Sequence, residues 1–290
     1  MRGEAFAHGA ATIVNAIATG KGAAFGIGLK TWAEVEIVSE KGVVAEIEGF
    51  EHEDPTLIRN CVETVLAHYS PDKELGARVK TRSEIPISRG LKSSSAAANA
   101  VILATLKAIG AEYESLEAIK IGTRCAIKAG VSITGALDDA CASFFGGVVI
   151  TDNRNETIIK RGLMPDGLKV LIHVPDFQIR KSRLPLDRIK SMKNIVEFAY
   201  ERALMGDYFT AMTLNGLAYS AALNVDQDIA VRALSKGAKA AGLSGTGPAI
   251  VILIDEEQLD DFLGEFEDVK FIVTDIYNGE LCSHEKGDWQ

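Results

Sequence analysis

The chain has 290 residues, 47% of them apolar and 24% charged, which is ordinary globular composition with length for one large or two ordinary domains. A formal net charge of −9 argues against a nucleic-acid binder, which would carry a basic surplus, and no apolar run is long enough to span a bilayer. The four cysteines form no C-x-x-C pair and the five histidines no H-E-x-x-H, so reduced, mostly buried thiols are expected and a zinc site is not.

Met1–Gly20 is alanine-rich, without a cleavage-type site after an apolar core, and is taken as part of the fold. Thr31–Val38 has strand character, and Val43–Phe50 is expected as its hairpin partner across Lys41-Gly42. Pro55 opens a helix in which Leu57, Ile58, Cys61, Val62, Val65 and Leu66 recur at helical spacing, ending near Tyr69 before Pro71. Ala77–Ile87 alternates as a strand, with Pro86 marking its end or an edge. Helices follow at Ala96–Ile109, stopped by Gly110, and at Leu116–Ala129, stopped by Gly130. A short helix near Asp139–Phe145 leads through Gly146-Gly147 into a strand at Val148–Thr151.

Asp152–Asn155 is the candidate boundary between an N-terminal domain (1–152) and a C-terminal domain (153–290). Beyond it come a strand at Leu168–Val174, two helices over Ser191–Leu223 broken near Gly206-Asp207, and a helix at Asp228–Ala241. A strand at Ala249–Ile254, a helix at Glu256–Phe266 and a strand at Phe271–Tyr277 complete the pattern. This alternation predicts an α+β arrangement with helices on one sheet face.

Three loops carry chemistry. Arg89-Gly90-Leu91-Lys92-Ser93-Ser94-Ser95 lies between a strand and a strong helix. Helix-opening N–H groups and serine hydroxyls point outward and attract phosphate oxygens, Gly90 frees the backbone, and Arg89 and Lys92 add positive charge. A merely capped helix start is the plainer reading of the serines alone. Neither this loop nor Gly28-Leu29-Lys30-Thr31 has Walker A spacing. Asp138-Asp139 places two carboxylates at a helix start, where one can act as base while the other holds a metal or caps the helix. Leu243-Ser244-Gly245-Thr246-Gly247-Pro248 is a tight turn before a strand, able to bring backbone close to a phosphate.

In this order the three loops resemble those of the GHMP kinases. P-I-S-R-G-L-K-S-S-S at 86–95 matches that family's phosphate loop, Asp138-Asp139 ahead of Phe144-Phe145-Gly146-Gly147 its acidic site, and L-S-G-T-G-P at 243–248 its third motif. H-G-A-A-T-I-V-N-A at 8–16, G-K-G-A-A-F-G-I at 20–27 and T-G-A-L-D-D-A at 134–140 are most similar to the archaeal-type shikimate kinase branch. The resemblance implies a two-domain α+β fold: an N-terminal α/β domain with a left-handed βαβ crossover, and a C-terminal ferredoxin-like α+β sandwich. It implies cytoplasmic phosphorylation of the shikimate 3-hydroxyl by ATP with Mg²⁺, on the route to chorismate and the aromatic amino acids, with no nucleic-acid or membrane partner.

Carried over to this sequence, the nucleotide would contact Pro86, Ser88, Arg89, Gly90, Leu91, Lys92, Ser93, Ser94 and Ser95 together with Gly245, Thr246 and Gly247. Spacing to Gly146 favours Asp139 as the catalytic aspartate, with Asp138 retained beside it. Many relatives have Pro-Gly-Lys where this chain has His8-Gly9-Ala10, which leaves Lys21 as the candidate to replace that charge. No Glu occurs over 122–139 to serve as the usual metal ligand, so Ser95 and Asp138 are the candidates for Mg²⁺. The substrate carboxylate calls for a basic partner, for which Arg180, Lys181, Arg183, Lys21 and Arg124 are available. Two other readings of the same fold are another GHMP small-molecule kinase, such as a homoserine kinase, and a catalytically silent sensor. The intact serine loop and aspartate pair argue against the sensor.

Overall fold

The computed structural model describes residues 1–50, 52–72, 74–177, 179 and 184–279. Its longest strands lie where alanine and glycine conceal the strand pattern. β1 (Arg2–Val14) and β2 (Lys21–Val38) run antiparallel from Arg2↔Glu36 to Val14↔Ala23. From Ala7 onward every β1 residue is buried, so both faces are packed and the polar–apolar alternation of a half-exposed strand is lost.

β3 (Gly42–Ile47) is not the hairpin partner of β2 that its position in sequence suggested. It connects through α1 (Thr56–Tyr69) to β4 (Gly76–Ser83), which inserts between them, antiparallel to β2 and parallel to β3. A helix long enough for a crossover makes this parallel βαβ pairing possible and removes the constraint of a tight turn. β4 also ends earlier than Ile87. The Ile85 N–H turns back to the Ser83 hydroxyl at 3.1 Å, and Pro86 has no N–H to extend a ladder.

α2 (Ser93–Ile109), α3 (Ser115–Lys128) and α4 (Leu137–Phe145) follow, packed on β1, β2 and one another. Gly110 caps α2 in the left-handed region (φ 68°), as its position predicted. β5 (Val148–Asp152) pairs with β2, and β6 (Thr157–Gly162) pairs back on β5, so this hairpin straddles residue 152.

The second sheet runs β10-β7-β9-β8, all antiparallel: β7 (Leu168–His173), β8 (Ala240–Leu243), β9 (Ile250–Asp255) and β10 (Phe271–Tyr277). Helices α5 (Leu186–Ser191), α6 (Lys193–Leu204), α7 (Tyr208–Leu223) and α8 (Asp228–Ser235) separate β7 from β8, and α9 (Leu259–Gly264) separates β9 from β10. This is the strand order of a ferredoxin-like motif. The helix expected to run to Ala241 stops at Ser235. Ala240 and Ala241 instead join β8, where Gly242 and Gly216 of α7 touch so closely that a Cβ on either would collide with the other's backbone. Packing has overridden alanine's helical preference there.

β10 joins the two sheets, pairing with β7 over Phe271–Asp275 and with β2 at Ile276 and Tyr277. The Gly146-Gly147 pair serves this junction. Gly147 donates to the Tyr277 carbonyl at 2.8 Å, and a Cβ on Gly146 would strike the backbone of Gly279. Among the described residues no helix is long and apolar enough to cross a membrane.

Candidate active site

The site is built on the start of α2. Ser88 (φ 58°), Gly90 (φ 89°) and Lys92 (φ 63°) all occupy left-handed backbone, which folds 86–92 into a tight loop and leaves the first N–H groups of α2 without side-chain caps. Leu91 is fully buried and anchors the loop in the core. The Arg89 guanidinium donates to the carbonyls of Pro175 (2.6 Å) and Phe177, tying the loop to the segment after β7.

The turn between β8 and β9 closes on this loop. The Ser244 hydroxyl donates to the Gly90 carbonyl at 2.8 Å, and the Ala249 N–H donates to the Arg89 carbonyl at 3.0 Å. Thr12, a fully buried β1 residue, accepts the Gly245 N–H at 2.8 Å, while its own N–H meets the Ser244 hydroxyl at 3.2 Å. A Cβ on Gly90 would overlap the Ser244 carbonyl oxygen, so only glycine allows the two loops to meet.

Opposite them, α4 is entered through Ala136, itself left-handed (φ 53°). Its first turn presents Asp138 and Asp139, both buried. The Lys92 ammonium lies 2.9 Å from Asp139 Oδ2, with both side chains almost inaccessible. Gly245 leaves room for that ammonium, since a Cβ there would sit 3.0 Å from Nζ. Among the described residues Asp139 Oδ1 is buried without a hydrogen-bond partner. Asp138 Oδ1 accepts from Asn153 Nδ2 at 2.8 Å, and Asn153 is held by Thr151. Burial and the neighbouring Asp139 charge push the Asp138 carboxyl up to about 7, against the pull of Lys92 and Asn153. α2 and α4 are pinned together by Asn99, which donates to the Ala140 carbonyl at 2.9 Å and to Ser143 Oγ at 3.1 Å.

These groups line one cavity of about 580 Å³. Of the sequence-derived residues, Ser88, Gly90, Lys92 and Ser93–Ser95 face it, as do Asp138, Asp139 and Gly245–Gly247; Pro86, Arg89 and Leu91 do not. Lys21 is exposed, its ammonium 5.5 Å from the Tyr200 ring centroid, and does not line the cavity. Arg124 points to Glu156 (2.6 Å). Arg180, Lys181 and Arg183 lie outside the described residues. His8 is no stand-in for a lysine, because it is buried and stacked on Tyr277 with ring centroids 3.6 Å apart.

Four contributors had no site role assigned from the sequence: Thr12, Asn15, Asn153 and the 131–136 turn, although 8–16 and 134–140 carried part of the family resemblance. Asn15 lines the cavity, and its segment is fixed by α7. The Asn15 N–H donates to Asn215 Oδ1 at 3.0 Å, and the Tyr219 hydroxyl bridges the Asn15 carbonyl and the Ala18 N–H. Only the pair Asn215 and Tyr219, one turn apart in a largely apolar helix, hinted at this.

A serine loop at a helix start, covered by a glycine turn and facing a buried aspartate pair, is the constellation of a GHMP-type small-molecule kinase. The GHMP kinases N terminal domain model matches residues 56–147. Shikimate kinase from Methanococcoides burtonii is 48% identical, with the match covering 96% of this chain and 98% of the relative; shikimate kinase from Methanosarcina mazei is also 48% identical, over 98% and 97%. The chain belongs to this archaeal shikimate kinase family. The fold is shared with homoserine kinase from Cytophaga hutchinsonii (TM-score 0.75, 17% identity, 96% of each chain) and Methanococcus jannaschii mevalonate kinase (0.75, 16%, covering 96% of this chain and 98% of that one).

Proposed function

We propose that the chain transfers the terminal phosphoryl group of ATP to the 3-hydroxyl of shikimate, giving shikimate 3-phosphate and ADP. The observation that carries this reading is the 2.9 Å Lys92–Asp139 pair. It joins a helix start suited to phosphates with a carboxylate suited to a hydroxyl, inside one cavity. The names of the archaeal relatives supply the substrate.

In this reading the N–H groups and hydroxyls of Ser93, Ser94 and Ser95 take the phosphate oxygens, with backbone at Ser88, Gly90 and Gly245–Gly247 closing around them. Pro86, Arg89 and Leu91 set the loop's shape. Asp139 orients the acceptor hydroxyl through its unpartnered Oδ1 and takes its proton late in an in-line displacement, without a covalent enzyme intermediate. Lys92 holds Asp139 in place from 2.9 Å away. Ile179 lines the cavity, which supports its sequence neighbour Arg180, with Arg183, as a partner for the substrate carboxylate; Lys21 would need to swing from Tyr200 to contribute. The domain division at 152/153 keeps the serine loop and both aspartates in the first half, while β6 and the end of β10 return to its sheet.

The site also fits Mg²⁺. Its donors are hard oxygens, Asp139 Oδ1 lacks a partner, and the raised Asp138 carboxyl marks a pair short of positive charge. Ser95 and Asp138 would hold the ion. When bound, it would neutralise charge on the phosphates, and a site with few protein ligands suits a cation that keeps several waters.

The test is ADP release, measured by coupled assay with shikimate, homoserine or mevalonate as acceptor. Shikimate alone should raise the rate far above background. Preference for another acceptor would replace the substrate assignment, and ligand binding without ADP formation would overturn the enzymatic one.

A further inference from the structure

A second cavity, of about 220 Å³, opens on the far side of α3, away from the serine loop. Its rim carries exposed His68, Glu117, Arg124 and Lys128, and its floor holds the buried Cys125 thiol beside Thr64. Behind Cys125, on α1, lies Cys61, fully buried and free. The Cys61 and Cys125 thiols are neighbours in the buried cluster between α1 and α3, and the Thr64 hydroxyl lies 3.5 Å from the Cys125 sulphur. Cys61 and Thr64, three apart on α1, thus meet one thiol of α3 from the same helix face. With Lys128 at the rim, these contacts bring the Cys125 thiol down to about 6, while Cys61 is pushed well up. A thiolate facing a cleft with a protonated thiol behind it is the arrangement of an attacking and a resolving cysteine.

The two helices also form the wall of the main cavity. Leu57 and Ile58, one turn before Cys61, line it from α1, and Ala126, next to Cys125, lines it from α3. A bond between the two sulphurs must bring them to covalent distance, drawing α1 against α3 immediately behind that wall.

We propose that Cys125 and Cys61 are a hydroperoxide-reactive dithiol whose oxidation weakens ATP binding in the main cavity. The Cys125 thiolate attacks one peroxide oxygen; an S–O bond forms, the O–O bond breaks, and the departing hydroxide takes up a proton to become water. The Cys61 sulphur then attacks the Cys125 sulfenic acid; the S–S bond forms, the S–O bond breaks, and the second water leaves with the Cys61 proton. Two electrons pass from two thiols to one peroxide, and an added dithiol reverses the change. The link to ATP rests on the kinase reading above; the dithiol chemistry does not.

The experiment treats the full chain with hydrogen peroxide, digests it without reductant and maps the peptides by mass spectrometry, with ATP affinity measured in parallel by calorimetry. A Cys61–Cys125 linked peptide is expected, with a loss of about fivefold in ATP affinity that dithiothreitol restores. Cys61→Ala should bind ATP normally and no longer respond to peroxide. Should that variant fail to fold, Cys125→Ala makes the same comparison, and the mapping on the unaltered chain needs neither. Absence of the linked peptide when Cys125 itself has been oxidised overturns the pair. A linked peptide with unchanged ATP affinity overturns the coupling. No ATP binding even before oxidation, with the peptide still formed, would count against the kinase reading and the coupling while upholding the dithiol.

Discussion

Among the described residues Asp139 has one side-chain partner, Lys92, and its second oxygen is buried and unpaired in a residue that lines the cavity. If that oxygen receives the substrate proton, Asp139→Asn keeps the shape and removes the base. Turnover should fall by about 10²–10⁴-fold with ATP affinity nearly unchanged, as steady-state kinetics and calorimetry would show. Near-normal turnover would remove Asp139 from the mechanism. Lys92→Met makes a sharper case. It strands a buried carboxylate, so stability should drop by about 3 kcal/mol in urea unfolding, and turnover should drop with it. In the Lys92→Met/Asp139→Asn double variant the stability loss should be largely recovered while turnover falls no further than in Asp139→Asn alone. Additive losses would mean the two residues work separately. The sequence marked both residues, but it gave Lys92 to the phosphates. Nothing in a linear chain shows that a left-handed residue before α2 will turn its ammonium onto α4, and that pairing depends on Gly245 arriving from the second sheet to leave space for it.

At the scale of elements, α1 through α4 were legible because each carries a helical apolar stripe or, in α2, an alanine-rich run, with a proline or glycine at one end. β1 and the first half of β2 were not, since strands buried on both faces and built of alanine and glycine show no period of two. The place of β3 was lost for another reason, because adjacency in sequence suggests a hairpin and only the packing of α1 inserts β4 between β2 and β3. The loop contacts were equally hidden, and they yield a test. Gly90→Ala puts a methyl into the Ser244 carbonyl at a positive φ, so the serine loop and the β8–β9 turn must separate. ATP KM should rise by about tenfold or more with far-UV circular dichroism unchanged, the equivalent of roughly 1.4 kcal/mol of lost binding. An unchanged KM would show that the junction does not shape the nucleotide site.

β1 carries a second test at the same scale. Burial between Phe6 and Tyr277 lowers the His8 imidazole to about 4, against the donation of its Nδ1–H to the Ile27 carbonyl. The folded chain therefore holds His8 neutral where the unfolded chain would protonate it. Its contribution is complete above about pH 6.5 and is lost as pH falls from there towards 4, by at most about 3 kcal/mol. Urea unfolding at pH 7 and pH 5 should show the loss in the natural chain and a smaller one in His8→Phe. Equal losses in the two would place the acid sensitivity elsewhere.

Across the whole molecule the cavity belongs to neither sheet alone. The first contributes the serine loop and aspartates, the second the β8–β9 turn, and β10 is hydrogen-bonded into both. α7 adds the least visible link, because Tyr219 lies more than half the chain away from the Asn15–Ala18 backbone it secures. Its hydroxyl donates to one carbonyl and accepts one N–H, both away from water, so Tyr219→Phe leaves two backbone groups unsatisfied without altering the ring's packing. Such a loss costs about 1–3 kcal/mol for each stranded group. If the sheets fold as one unit, the variant should still unfold in a single transition, at lower urea and with an unchanged slope. Two separated transitions would mean that α7 joins bodies able to fold apart. Because Asn15, Ala16 and Ile17 line the cavity, the same variant should raise a substrate KM more than it lowers kcat. A drop in kcat alone would instead mean that the displaced segment disturbs the Asp138–Asn153 wall, which reaches this strand end through the hydrogen bond from the Asn153 N–H to the Gly20 carbonyl.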